Sequence, residues 1–311
     1  MRYAGSRSGA VFFLGMVLLA SAGLGRAQSS GPAVGTVTFT VTAVSNKESI
    51  PPISKDDVQL SLGRERRPIG DFRKDENLFL AILIDDSIDT RAASNWNSLR
   101  DFIMAQPPTV HIALGYIRNN ATMLAQDFTT NHELAAKALR ITIGSGAIGS
   151  SPYLGTMDLL RRWPETGPRR SVILISSGID FFRGARSGPT FPDVVPLTQR
   201  AQRQNTNIWT VYYPAASHRG LAFSLVWNGQ NNLSRLSDDT GGESFFLGSG
   251  VPVSLKPYFD EIATHLSNQY LLSFAGSGGG RGRYQRVTVR TTLADVEFDT
   301  PSAVFLPPAA R

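Results

Sequence analysis

Four oxygen-bearing side chains, Asp85, Asp86, Ser87 and Asp89, follow directly on the apolar run Leu78-Phe79-Leu80-Ala81-Ile82-Leu83-Ile84. A strand-length apolar stretch without alternation is expected where a strand is buried on both faces, and its abrupt end on carboxylates and hydroxyls opens the core into a polar rim. In open α/β sheets ligands collect outside the carboxyl ends of the strands, which places these oxygens where a binding site would be. A second run, Val172-Ile173-Leu174-Ile175, ends likewise on Ser176-Ser177-Gly178-Ile179-Asp180, and Ser151 stands immediately before Pro152. The same residue types also suit a structural role. Acids and serines ahead of a helix accept its free N–H groups and face the positive end of its dipole.

Catalytic chemistry finds little support. The chain has no cysteine, which excludes thiol catalysis, thiolate metal sites and disulfides. His111, His132, His218 and His265 show no ligand-like spacing, and Ser177 is not part of a G-x-S-x-G elbow. Gly144-Ser145-Gly146-Ala147-Ile148-Gly149 spells G-x-G-x-x-G, but it follows a helix late in the chain instead of opening the helix after a first strand. A flexible loop is the expectation there. The balance favours a binding protein over an enzyme.

The elements that position the rim can be read in order. Arg2 and Arg7 precede the apolar run Ala10 to Ala22, and Gly25-Arg26-Ala27 has the small-x-small pattern of a secretory cleavage site, so residues 1–27 are expected to be a signal peptide and the protein exported, to the periplasm or beyond. The run is too short for the roughly 18 apolar residues of a membrane span, and no membrane anchor is expected. Cleavage would remove Arg2, Arg7 and Arg26, half of the formal excess of +6, which argues against nucleic-acid binding.

Residues 28–75 read as short strands. Val37, Phe39, Val41 and Ala43 alternate with threonines, predicting a half-buried strand, and Val58, Leu60 and Leu62 alternate again. Over residues 76–250 strands and helices take turns. Trp96, Leu99, Phe102 and Ile103 fall at helical spacing, Val110 to Ile117 reads as a core strand, and Ala121 to Phe128 as a weaker, edge-like one. Asn131 and Ser151 are placed to cap helices, and a short helix carries Leu233 and Leu236. This rhythm predicts an α/β fold with a doubly wound, mostly parallel sheet. Residues 251–311 read as an amphipathic helix through Tyr258, Phe259, Ile262 and Leu266, then a hairpin of Tyr270 to Phe274 with Val287 to Val289. The N-terminal and C-terminal strands lie outside the βα rhythm, and are expected to pair as a small β-subdomain.

Ile84-Asp85-Asp86-Ser87-Ile88-Asp89 resembles the D-x-S-x-S segment that ends the first strand of the von Willebrand factor A (VWA) family and begins its metal-ion-dependent adhesion site. Val172 to Asp180 is similar to the family's strand ending in T-D-G, and Gly149-Ser150-Ser151-Pro152-Tyr153-Leu154-Gly155 to its G-G-T-P-L-G loop. Thr240-Gly241-Gly242 and Gln269-Tyr270-Leu271-Leu272-Ser273-Phe274, with the strands before Leu78, resemble the VWA-related subgroup described as acidobacterial. The resemblance implies a Rossmann-like VWA sheet and a site for Mg²⁺ or Mn²⁺, hard cations that take oxygen ligands and leave a position for a partner's carboxylate. Carried over position by position, Asp85 and Ser87 match. Asp89 stands where the second serine belongs, Ser151 stands for the threonine, and Ser177 replaces the second aspartate. The adhesion site is therefore degenerate. If Asp89 turns inward the site's charge is restored; if it does not, a lone Asp85 binds the ion poorly.

The expected partner is another protein docked at the carboxyl edge of the sheet, on Asp85 to Thr90, Gly149 to Tyr153 and Ser177 to Arg183. The rival expectations are a metal-independent structural piece of an envelope assembly and, third, a secreted hydrolase.

Overall fold

A computed structural model describes residues 35–309, save 48, 145–148, 164–168, 184–188, 217–219 and 247. The expected signal peptide and residues 145–148 of the glycine-rich loop lie outside the described residues.

The described residues open with the strands β1 (Gly35–Ser45), β2 (Val58–Leu62), β3 (Glu65–Arg67) and β4 (Asp71–Arg73). The α/β part follows as β5 (Leu78–Asp85), α1 (Trp96–Met104), β6 (Val110–Arg118), β7 (Ala121–Thr129), α2 (His132–Lys137), α3 (Pro152–Arg162), β8 (Arg169–Ser176), α4 (Val194–Arg203), β9 (Thr206–Tyr212), α5 (Phe223–Thr240) and β10 (Ser244–Phe245). It closes with α6 (Lys256–Ser267), β11 (Gln269–Gly276), β12 (Arg283–Thr291), β13 (Val296–Asp299) and β14 (Ala303–Leu306).

The central sheet has the order β10-β9-β8-β5-β6-β7. Every pairing is parallel except β6 with β7, the expected edge strand. Strand β5 lies inside this sheet, and its side chains alternate between two cores. Leu78, Leu80, Ile82 and Ile84 face a cluster that includes residues of α1, α2 and α6, while Ala81 and Leu83 face one that includes residues of α3, α4 and α5. Helices on both faces explain why the strand reads as a continuous apolar run.

The terminal strands form a β-sandwich. One sheet has the order β13-β1-β11-β4 and the other β14-β12-β2-β3, with Phe39, Leu60, Leu272 and Val289 among the residues of their shared core. The expected pairing of N-terminal with C-terminal strands is present: β1 runs antiparallel to β11, and β2 to β12. Two details differ from expectation. Strands β11 and β12 are not a hairpin, because each joins a different sheet and they face one another across the core. Strand β1 is buried on both sides, since Thr40 and Thr42 are covered as well as Phe39 and Val41. Its threonine face is turned to the α/β part, where Thr40 N donates to Asn205 Oδ1 at 2.7 Å and Ala43 N to the Asn268 carbonyl at 3.0 Å.

Helix α5 is longer than the short helix expected around Leu233, and carries Gly229 in its interior. Glycine weakens a helix, but here it allows a close crossing. A Cβ on Gly229 would lie 2.6 Å from the Ser177 carbonyl oxygen, and one on Gly178 would lie 2.3 Å from the Gly229 carbonyl oxygen. Gly178 also holds φ at +67°, which disfavours any side chain. This contact seats the segment after β8 that carries Asp180. Ile82→Val, a one-methylene deletion in the core, should cost about 0.5–1.5 kcal/mol. Gly178→Ala should cost more, because the atom it strikes is backbone; urea-unfolding midpoints of the two variants check the order.

Candidate functional site

The rim at the carboxyl ends of β5 and β8 is built from backbone outward. Asp85 is the last residue of β5 and is 1% exposed. Its Oδ1 accepts from Ser87 N at 2.9 Å, and its Oδ2 from the Ser176 hydroxyl, at the end of neighbouring β8, at 2.7 Å. Burial pushes the Asp85 carboxyl up, opposed by the Ser87 amide and the Ser176 hydroxyl. Ser176 Oγ in turn accepts from Gly178 N at 2.9 Å, so one hydroxyl ties the ends of both strands together.

The neighbouring acids are already compensated. Asp86 is fully buried and meets Arg140 in a two-pronged pair, Nη1 to Oδ1 at 2.8 Å and Nη2 to Oδ2 at 2.7 Å. The Arg140 guanidinium also lies 3.6 Å from the centroid of the Tyr116 ring. Asp89 caps the short 3₁₀ turn Thr90–Asn95, accepting from Arg91 N at 2.9 Å, while Arg91 Nη2 approaches its Oδ2 at 2.6 Å. The capping role foreseen for Asp89 is therefore present, and its charge faces arginine instead of a shared inner position.

Ser151 caps α3 by accepting from Leu154 N at 3.5 Å, and its own amide donates to Asn120 Oδ1 at 2.8 Å. Ser177 Oγ accepts from Ile179 N at 3.4 Å. The acid on this side is Asp180, three residues further on, fully buried. Its Oδ1 accepts from Arg183 N at 3.1 Å, but its Oδ2 is shielded and has no hydrogen bond among the described residues. Arg183 Nε stands 3.9 Å away from that oxygen and bonds to Asp193 instead, at 2.8 Å. Burial pushes the Asp180 carboxyl up, and the Ser151 hydroxyl is among the groups that hold it down. Buried Tyr153 donates to the Gly178 carbonyl at 2.6 Å, and its hydroxyl is raised by burial and then by the nearby charges of Asp180 and Asp85. Ser87 Oγ, like Asp180 Oδ2, is shielded and without a well-formed hydrogen bond among the described residues, although the hydroxyl is close enough to Asp85 to help hold that carboxyl down.

The five residues expected at the site thus divide. Asp85 is joined to Ser87 through the Ser87 amide, Ser151 caps α3 on the side of Asp180, and Asp89 and Ser177 each accept from a backbone amide two residues on. Sequence reasoning missed Asp180 as the second acid and Arg140 as the counter-charge of Asp86. Asp180 sits off the motif's spacing, and nothing in the one-dimensional pattern couples residues 86 and 140. Asp85, Ser87, Ser151 and Asp180 are oxygen donors of the kind a hard cation takes, and two of them carry a buried oxygen without a hydrogen bond among the described residues.

The strand order, the antiparallel edge and three helices on each face make this a VWA-like fold. No protein-family model matches the sequence, and no curated protein matches it. Among solved structures, the chain is similar to a von Willebrand factor type A protein from Catenulispora acidiphila, 9% identical over 91% of this chain and 75% of that one, with a TM-score of 0.45. It is also similar to an aerotolerance-related membrane protein from Bacteroides fragilis, 10% identical over 61% of this chain and 98% of that one, TM-score 0.44. The SpRpn10 VWA domain is 13% identical over 60% of this chain and 95% of that one, TM-score 0.39. Likeness at this level transfers no residue role.

Two outcomes follow from the charges. Arg140→Ala leaves Asp86 buried and unpaired, and should destabilise the protein by about 2–3 kcal/mol, below the usual cost of breaking a buried pair because the guanidinium is partly solvated. A double-mutant cycle with Asp86→Asn should recover most of that loss. For Asp180, a folded-state pKa above the unfolded value means the stability it contributes is complete below the unfolded pKa and is lost as pH rises through the folded one. With chelator present, Asp180→Asn should therefore raise the melting temperature more at pH 7 than at acid pH, the difference shrinking as pH falls through the folded-state pKa.

Proposed function

We propose that the protein is an exported, non-enzymatic module that binds another protein at the carboxyl rim of its VWA-like sheet, with Mg²⁺ or Mn²⁺ bound by Asp85, Ser87, Ser151 and Asp180. The observation that carries this reading is the pair of shielded oxygens without a hydrogen bond among the described residues, Ser87 Oγ and Asp180 Oδ2, at the end of the central strands, with only Arg183 Nε facing the second, at 3.9 Å. Buried oxygens without partners cost stability, and a hard cation satisfies them together. The ion would supply an electrophilic centre for an incoming carboxylate. The chain's own part is to hold Asp85 by Ser87 N and Ser176 Oγ and to set Ser151 at the start of α3. No helix among the described residues is long and apolar enough to cross a membrane.

A metal-independent structural role is the second reading. It is favoured by the arginine partners of Asp86 and Asp89, which leave the rim less acidic than its sequence suggests.

Thermal melting with and without metal separates the two. At ten times its dissociation constant a ligand adds about 1.4 kcal/mol, so saturating Mn²⁺ should raise the midpoint by roughly 2–5 °C. Asp85→Asn and Asp180→Asn should abolish the rise. No response of the unaltered chain to millimolar Mg²⁺ or Mn²⁺ removes the metal-dependent reading. Partner capture from the native envelope that survives chelator supports the second.

A further inference from the structure

A second group of donor atoms lies away from the rim, at the seam between the β-sandwich and the α/β part. Glu261 and His265 are four residues apart on α6, so one helix face presents a carboxylate and an imidazole together. Glu243 approaches from the segment leading into β10, where its carbonyl accepts from Thr210 N at 3.0 Å. The two residues before it hold its backbone in place. Gly241 sits at φ +75°, and a Cβ on Gly242 would lie 2.2 Å from the Ile208 carbonyl oxygen. One ligand atom from each of Glu243, Glu261 and His265 lies within 4.8 Å of the other two.

We propose that Glu243, Glu261 and His265 form a binding site for a divalent transition-type cation, of which Zn²⁺ is the best match, and that the ion joins α6 to the lead-in of β10. An imidazole nitrogen with two carboxylate oxygens is a donor set that suits zinc, whereas Mg²⁺ and Ca²⁺ take oxygen ligands. Two carboxylates balance the charge of the ion. Bond lengths of about 2.0–2.2 Å require the side chains to draw closer, and Glu261 is exposed and free to swing.

Two further observations separate this group from an ordinary patch of surface acids. The His265 Nδ1 is shielded from solvent and makes no hydrogen bond among the described residues, standing 3.5 Å from Glu243 Oε2. Its ring meets Trp209 edge-on at 5.4 Å between centroids, a packing contact that helps hold the imidazole in place. The group also faces an open pocket of about 730 Å³ that Asp238, Glu297 and Asp299 help to line, and no described Lys or Arg lines it. Asp295 of the same lining is met by Lys47, and the remaining carboxylates leave a negative potential that a bound cation relieves. This site is independent of the rim, and the failure of either leaves the other standing.

The test is calorimetric titration of ZnCl₂ into the full chain after chelator treatment. With millimolar Mg²⁺ present throughout to occupy the rim, one equivalent of Zn²⁺ should bind. The affinity should fall at least tenfold in Glu261→Gln and further in His265→Gln. Glu261 lies on exposed helix surface, so its variant reports even if loss of the imidazole beside Trp209 impairs folding. Co²⁺ gives a second readout, visible absorption bands that change when His265 is replaced. An absence of binding heat, an affinity indifferent to Glu261→Gln and His265→Gln, or a loss confined to Asp180→Asn would each overturn the proposal.

Discussion

The hydrogen bond from the Ser176 hydroxyl to the Asp85 carboxylate, 2.7 Å long and closed off from water, joins the ends of the two strands on which the rim is built. Everything polar at that end of the molecule is placed relative to it. Strands β5 and β8 are neighbours in a sheet covered on both faces, so neither end can shift without disturbing two cores. Ser176 also accepts from Gly178 N, and Gly178 is locked against Gly229 by backbone contact. The position of Asp180 is thereby inherited from the sheet through two glycines and one hydroxyl.

Charge compensation gives the rim its character. Of its four acids, Asp86 and Asp89 are each met by an arginine at hydrogen-bond distance, while Asp85 is held by hydrogen bonds and Asp180 keeps one oxygen without a hydrogen bond among the described residues, 3.9 Å from Arg183. A carboxylate with a bidentate guanidinium has little left to offer a ligand. A buried carboxylate raised by its surroundings does, because a cation or a protein donor would relieve it. The same reasoning explains why serines stand beside these acids: hydroxyls satisfy carboxylates without cancelling their charge.

The β-sandwich is more than an appendage. Its central strand β1 is buried on both sides, and the threonine face contacts the α/β part through Asn205 and Asn268. Helix α6 belongs to the sheet's own core and then feeds directly into β11 of the sandwich, so the two parts share an element. Where such parts meet, polar groups from several segments are brought together, and the Glu243, Glu261 and His265 group lies at that seam.

Much of this was legible in the chain. The unbroken apolar run Leu78 to Ile84 determined a strand buried on both faces, the alternation at Val37 to Ala43 and Val58 to Leu62 determined inward faces of further strands, and the serine before Pro152 determined a helix cap. These are local patterns, set by periodicities of two and 3.6 residues, and they survive in any arrangement that buries apolar surface. Which strands pair was decided only by the tertiary structure, because β11 and β12 carry hairpin-like alternation yet were separated into facing sheets by the competing partners β1 and β2. The charge partners were decided there too. Arg140 lies 54 residues from Asp86, and Glu243 lies 18 from Glu261, distances at which sequence carries no record of contact. Spacing along the chain sets the face on which a side chain emerges, and only packing sets what it meets.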